Sequence, residues 1–340
     1  IINIPYVSMG AIYPDASWQK TTMKNIGLDF YLLSDRISGS FDFFRNDITR
    51  LLGYASTSPL AIYETRPING GHYYRRGWEL MVDTKNLVGE FTWDTSLTFS
   101  KTNSFWKERL PNYDYQIYQQ RENEPMSAYY YYNVTGIINT DRSNMPESQK
   151  TLQAEAQLPG CPIIEDKNKD GKIDENDVYM KDNSPAIYVG IGNTFTYKRF
   201  EFSFFMYGQV GIQKYNIAYS AAQAGPLAVD YPENSNKFAY RLWNSQTNPN
   251  GSRPGLAIGK MGALPGNAWV NADRENASFM RMRNITLAYN LAGNILGSLQ
   301  RYVRNIKVYV DAQNPFILTK FQGFDPEIYT GGGGASGGSR

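Results

Sequence analysis

Asp166, Asn168, Asp170, Asp174 and Asp177 fall at positions 1, 3, 5, 9 and 12 of a twelve-residue stretch, with Gly171 at position 6 and Ile173 at position 8. A hard cation such as Ca²⁺ is held by six to eight oxygens at once. Alternate residues of a tightly wound loop can bring that many to one centre, with a glycine for the sharp turn and an apolar residue to pin the loop. The ligands this spacing predicts for Ca²⁺ are Asp166, Asn168, Asp170, the Lys172 carbonyl, Asp174 and Asp177. Asp177 stands where such loops usually carry a longer Glu, so it binds through one oxygen or through water. A solvated Asp/Asn/Gly turn is the plainer alternative and would need none of these matches. Leu158-Pro159-Gly160-Cys161-Pro162 cannot form an entering helix, so the loop is expected to sit alone between strands.

No other stretch assembles a reactive centre. One histidine, His72, excludes His-based triads and most zinc sites, and one cysteine, Cys161, excludes an intrachain disulfide and a cysteine-rich metal site. His72 lies in a Gly-Gly-His-Tyr-Tyr run and reads as a surface loop residue. Glu122 and Glu124 read as solvated carboxylates, since nothing fixes the separation glycoside hydrolysis needs. Gly331 to Gly334 lack the Lys-Ser/Thr of a phosphate loop. Tyr129-Tyr130-Tyr131-Tyr132 could stack on a sugar ring or peptide, although such clusters more often pack a loop or anchor a rim. A protein that is not an enzyme is expected.

The residues that must position the loop alternate in type. The 340 residues carry 34 Lys+Arg against 32 Asp+Glu, a balance that offers no basic face to nucleic acid. No apolar run reaches the roughly 20 residues of a membrane helix, and 26 tyrosines suit a boundary between apolar and wet surroundings. Ile26, Leu28, Phe30 and Leu32 alternate with Gly27, Asp29 and Tyr31. After a turn at Ser34-Asp35, Ile37, Gly39, Phe41 and Phe43 alternate with Ser38, Ser40, Asp42 and Phe44. The unit recurs over 78–83, 91–100, 188–197, 200–208, 280–291 and 305–313, with a short helix expected at 292–301. Strands of about ten residues with one apolar and one polar face suit a membrane barrel with a wet interior.

Connections differ in length at the two ends of these strands. Ser34-Asp35 and Lys198-Arg199 are tight turns, whereas 51–75, 102–185 and 214–278 are long and rich in Pro, Gly, Asn and Tyr. Structureless loops of that size are rare in compact soluble domains, and outer-membrane barrels carry short turns at one rim and long loops at the other. The predicted Ca²⁺ loop falls on the long-loop side. Ile26, Leu28, Phe30, Leu32, Trp93, Leu97 and Phe99 are then expected to face lipid, and Asp29, Asp94, Ser96 and Thr98 the lumen.

Trp18-Gln19-Lys20-Thr21-Thr22 with Asn25-Ile26-Gly27-Leu28-Asp29-Phe30, then Asp35-Arg36-Ile37-Ser38-Gly39-Ser40 and Arg76-Gly77-Trp78-Glu79-Leu80, resemble the SusC-like TonB-dependent transporters of Bacteroidetes. So do Gly192-Asn193-Thr194-Phe195-Thr196-Tyr197, Phe279-Met280-Arg281-Met282-Arg283-Asn284-Ile285, Val308-Tyr309-Val310-Asp311-Ala312-Gln313-Asn314-Pro315-Phe316 and Gly323-Phe324-Asp325-Pro326-Glu327. The resemblance implies that residues 1–330, with the Ca²⁺ loop at 166–177, are the carboxy-terminal part of a transmembrane antiparallel β-barrel of roughly 22 strands. Residues 331–340 form a Gly/Ser-rich tail or loop. About eight to ten strands are visible, too few to close a barrel; a periplasmic domain, a TonB-contacting segment, a plug and the closing strand are not matched. It further implies an outer-membrane location and TonB-driven uptake of an oligosaccharide or peptide, with a SusD-like surface lipoprotein closing over the outer loops. The alternative is a secreted, Ca²⁺-stabilised β-domain that binds glycans or acts as an adhesin.

Overall fold

The structure is a computed structural model. It describes residues 17–56, 65–111, 115–119, 122–216, 241–255, 264–265, 269–272, 274–291, 302–303 and 306–327. The helix expected at 292–301 and the tail at 331–340 lie outside the described residues. Period-2 alternation folds as strands throughout, and among the described residues no helix is long and apolar enough to cross a membrane.

Four long strands open the chain: β1 (Lys20–Leu32), β2 (Ile37–Ser56), β3 (Thr65–Leu87) and β4 (Phe91–Glu108). Short strands follow in the first long connection: β5 (Ala128–Tyr132), β6 (Val134–Ile137), β7 (Pro162–Ile164) and β8 (Tyr179–Asp182). A hairpin comes next, β9 (Ile187–Tyr197) and β10 (Phe200–Val210), then the short β11 (Gln213–Tyr215), β12 (Trp269–Val270) and β13 (Arg274–Asn276). The chain ends in β14 (Phe279–Leu291), β15 (Ile306–Gln313) and β16 (Ile317–Thr319).

One sheet runs β1-β2-β3-β4-β9-β10-β14-β15, every pair antiparallel, and β16 extends the pairing of β14. The turns between β1 and β2, β3 and β4, and β9 and β10 lie at one rim, where β14 also passes to β15, and the connections from β2 to β3, β4 to β9 and β10 to β14 leave from the other. The strands reach further than alternation alone predicts. β2 continues to Ser56 and β3 starts at Thr65, so 51–75, read as a loop, is largely two paired strands. At about 3.4 Å per residue, the 23 residues of β3 span roughly 75 Å, more than twice a bilayer's hydrocarbon core.

The connection between β4 and β9 is not structureless either. Tyr118, Tyr132, Leu152, Ile164, Ile173 and Val178 form a buried cluster that also takes in Leu264 and Val270 from the next long connection. β12 pairs in parallel with β5, which pairs with β8, so the two connections share one small sheet. Buried Gln149 ties the cluster's polar backbone together: its amide donates to the Ala156 carbonyl at 3.0 Å, and its oxygen accepts from the Ile164 amide at 3.0 Å. These contacts make an outer module that carries its own core, which reduces the need for a metal to order it.

Candidate functional site: a two-faced wall and an outer loop module

Register decides which side chains share a face, because directly paired residues point the same way. Asp29 pairs Ser40, Asp42 pairs Glu79, Ser38 pairs Asp83, Asp83 pairs Ser96 and Asp94 pairs Thr194. These polar residues occupy one face of the sheet. The other face carries Ile26, Phe43, Trp78, Leu80, Leu97 and Ile191 by the same pairings. The expected assignment of Ile26, Leu28, Phe30, Leu32, Trp93, Leu97 and Phe99 to one side, and Asp29, Asp94, Ser96 and Thr98 to the other, is the one the register produces.

Register also lines up aromatic residues that are scattered in sequence. Phe91, Tyr197, Phe200 and Tyr289 form a continuous row across four strands just above the short turns, and Trp93, Phe195 and Phe202 form the row above it. Trp93 stacks on Phe195 at 5.6 Å between ring centroids. Above Trp78 the apolar face turns polar. Lys101 pairs Trp78, then Arg45 pairs Arg76, which pairs Asn103. From the Phe91 row to Phe99 the apolar band covers about 27 Å of strand, or about 20 Å of height at a tilt near 40°. That is close to the height of a transmembrane barrel's outer band, bounded below by aromatic rings and above by Trp78.

Glycine placement supports the same wall. A Cβ on Gly39 would sit 2.5 Å from the Phe30 ring, and one on Gly77 would sit 2.7 Å from the Phe44 ring. Each ring covers the glycine it pairs with in register, a device that restores packing where a strand has no side chain.

Above the band, His72 is a half-buried strand residue whose Nε2 lies 3.3 Å from Asp47, not a loop residue. Glu124 also departs from expectation: it is 1% exposed and pairs with Arg109, whose guanidinium lies over the Trp106 and Tyr115 rings. Glu122 is exposed as expected. The tyrosine run splits by parity on β5. Tyr132 is buried and its hydroxyl reaches the Asp174 carbonyl at 3.0 Å, and Tyr130 packs on Tyr118. Tyr129 and Tyr131 stack on the opposite face, continue onto Tyr179, and are capped by the Arg274 guanidinium 3.4 Å over Tyr129. Burial pushes the Tyr129 phenol up and the Arg274 guanidinium down from their ordinary ranges.

The predicted Ca²⁺ loop winds tightly, with Lys169 and Gly171 both at positive φ. Asp166 at its start accepts the Asp170 amide at 3.2 Å and the Gly171 amide at 2.9 Å. Asp170 accepts the Lys172 amide at 3.0 Å, and Asn168 donates to Asp170 at 3.0 Å. Ile173 is buried in the module's core, so the residue expected to pin the loop does so. Asp177 is fully buried. One of its oxygens accepts the Lys167 and Asn168 amides, at 2.9 and 3.4 Å, and the other accepts the Asp174 amide at 2.8 Å. Asp174 caps the short turn that follows by accepting the Asn176 amide at 2.8 Å. The loop therefore closes on its own backbone. Among the described residues no three His, Cys, Asp or Glu side chains gather closely enough to hold an ion.

No family model matches the chain. It is 28% identical to the TonB-dependent receptor SusC of Bacteroides thetaiotaomicron over 330 residues, covering 94% of this chain and 31% of that protein. It is 25% identical to the TonB-dependent receptor P3 of Formosa agariphila over 324 residues, covering 91% of this chain and 31% of that protein. The chain thus spans about a third of the length of the curated relatives it matches. Among solved structures it resembles the RagAB peptide importer in its 'closed-closed' state, with a TM-score of 0.70 at 18% identity over 94% of this chain and 34% of that one. In the 'open-open' state of the same importer the TM-score is 0.67 at 20% identity, over 93% of this chain and 33% of that one. These likenesses bear out the SusC-like resemblance, the all-β barrel fold and the outer-membrane location.

Proposed function

We propose that this chain is the wall and outer loop module of a transporter that uses TonB to import a large nutrient, an oligosaccharide or peptide, across the outer membrane. The observation that carries the reading is the register itself. It gives one continuous apolar face across eight strands, edged by aromatic rows and backed by a polar face, with the two longest connections, β4 to β9 and β10 to β14, at the same rim. A SusD-like surface lipoprotein would close over that rim, where the module's own core holds a firm surface. The likeness to a peptide importer favours peptides and the likeness to SusC-like receptors leaves oligosaccharides open.

The test is uptake in the native host. Deleting the gene should abolish growth on the one nutrient mixture it serves, and deleting TonB should reproduce the loss. Purification from the membrane should bring the lipoprotein with it. Growth unchanged by either deletion on peptide and oligosaccharide mixtures alike would sink the proposal.

We propose further that the 166–177 loop takes Ca²⁺ through Asp166, Asn168, Asp170, the Lys172 carbonyl, Asp174 and Asp177. The spacing and tight winding support this. Binding requires the carboxylates to turn from the loop's amides toward a common centre.

A further inference from the structure

A cavity of about 670 Å³ lies on the polar face where the wall rises above the apolar band. Ser100, Thr102, Ser104 and Arg75 line it from β3 and β4, with Tyr73 and Tyr188 at its sides. Met126, Ser127 and Ser184 from the outer module close it from the loop side. Its lining holds one cation and no acid.

Arg75 is exposed, its Nε donates to the Ser104 hydroxyl at 3.4 Å, and it joins none of the ion pairs among the described residues. Asp182 is hydrogen-bonded to two of the lining residues, Ser127 and Ser184. Its oxygens accept the Ser127 hydroxyl at 2.6 Å, the Ser184 amide at 2.8 Å and the Asn103 amide at 3.0 Å. Asp182 is thus engaged on all sides and does not neutralise Arg75. A planar guanidinium flanked by hydroxyls on a wall away from bulk lipid suits a carboxylate, which it can grip through two parallel hydrogen bonds. At the cavity's lower edge the same face turns acidic: Glu79 pairs directly with the lining residue Ser100 and with Asp42. That charge repels a carboxylate from the lower wall and keeps it at the level of Arg75.

Building on the transport reading, we propose that this cavity is a binding subsite for a ligand carboxylate, held by Arg75 with the hydroxyls of its register partner Ser104 and of Thr102. The carboxylate can be the free end of a peptide or the acid group of a uronic sugar. Binding to the intact purified transporter is measured for two pairs of probes: a pentapeptide with a free or an amidated carboxy terminus, and trigalacturonic acid or its methyl ester. Wild type should prefer the acid over the neutral form by about tenfold or more in one pair, and that pair names the ligand's source. Arg75→Gln should erase the preference by lowering affinity for the acid probe about tenfold or more, to the level of the neutral one. Ser104→Ala, which removes only the brace on Arg75, should weaken the preference in a protein whose fold is intact and serves if Arg75→Gln fails to fold. Equal or absent binding of acid and neutral probes by wild type, or a preference that survives Arg75→Gln, overturns the subsite. TonB-dependent import of a neutral probe with no acid preference would reject this subsite and leave the transport reading standing. Acid preference in binding, with import independent of TonB, would do the reverse.

Discussion

Asp177 and Asp170 occupy the same predicted loop but do different work, and mutation should separate them. Asp177 is buried and satisfies three backbone amides; Asp177→Ala strands those donors and should destabilise the outer module by about 3 kcal/mol, with or without calcium. Asp170 is exposed, so Asp170→Ala should change melting little in chelator and remove any stabilisation that added Ca²⁺ gives. Thermal unfolding of the intact transporter in calcium and in chelator reads both, and identical curves for wild type in the two buffers would reject the metal. The oxygen pattern was legible because it depends only on local spacing. That position 12 folds inward was not legible, because it depends on Ile173 and Val178 being drawn into a core completed by Leu264 and Val270, nearly a hundred residues away. Glu124 was misread for the same reason: Arg109 is its partner, and a carboxylate's burial cannot be seen in its neighbours. Asp182 adds a pH prediction. Burial raises its pKa, but hydrogen bonds from Ser127, Ser184 and Asn103 outweigh this and hold it below the usual carboxylate range. A depressed folded-state value stabilises the folded form above the unfolded pKa of about 4 and loses that contribution as pH falls through the folded value. The module of wild type should therefore weaken below about pH 4, and Asp182→Asn should blunt that acid transition.

At the scale of a strand, parity was readable and register was not. Alternation with period 2 is a property of each strand alone, so the sorting of Leu97 from Asp94 follows from sequence. The aromatic rows and the height of the apolar band exist only once Phe91 meets Tyr197 and Tyr197 meets Phe200. Strand ends in 51–75 were missed because Arg45, Asp47, Arg75 and Arg76 break the apolar alternation just where the wall leaves the band. Polarity there marks emergence from lipid and not the end of pairing. Leu97→Arg should cost about 2–4 kcal/mol of barrel stability at mid-membrane, and Thr98→Arg little. Stability alone would rank a soluble sandwich the same way, so labelling decides. Cysteine at Leu97 should react with a lipid-soluble maleimide in native membranes and resist a water-soluble one, and cysteine at Asp94 should be reached from water. The reverse pattern would invert the two faces.

At the scale of the molecule, the sheet has two long edges without a partner among the described residues: the far side of β1 and the far side of β15. Unpaired edges of that length pair with other chains unless covered, and in lipid each unsatisfied backbone group costs several kcal/mol. Eight wall strands cannot satisfy both edges while keeping one polar face turned inward around a plug-sized lumen. The outer module has no such dependence, since its core and its small sheet are complete within the two long connections. The 340-residue chain produced alone should therefore separate the two parts. Refolded into detergent, it should give oligomers joined edge to edge and no compact band that resists unfolding in unheated gels. Its outer module should still fold, and Cys161, 1% exposed and the sole thiol, reports on it without engineering. Protection of Cys161 from a water-soluble maleimide, in a sample that is otherwise oligomeric, is the expected outcome. Rapid labelling of Cys161 would mean that the module needs a closed barrel beneath it, and a monodisperse, heat-resistant monomer would mean that the edges find partners within this chain.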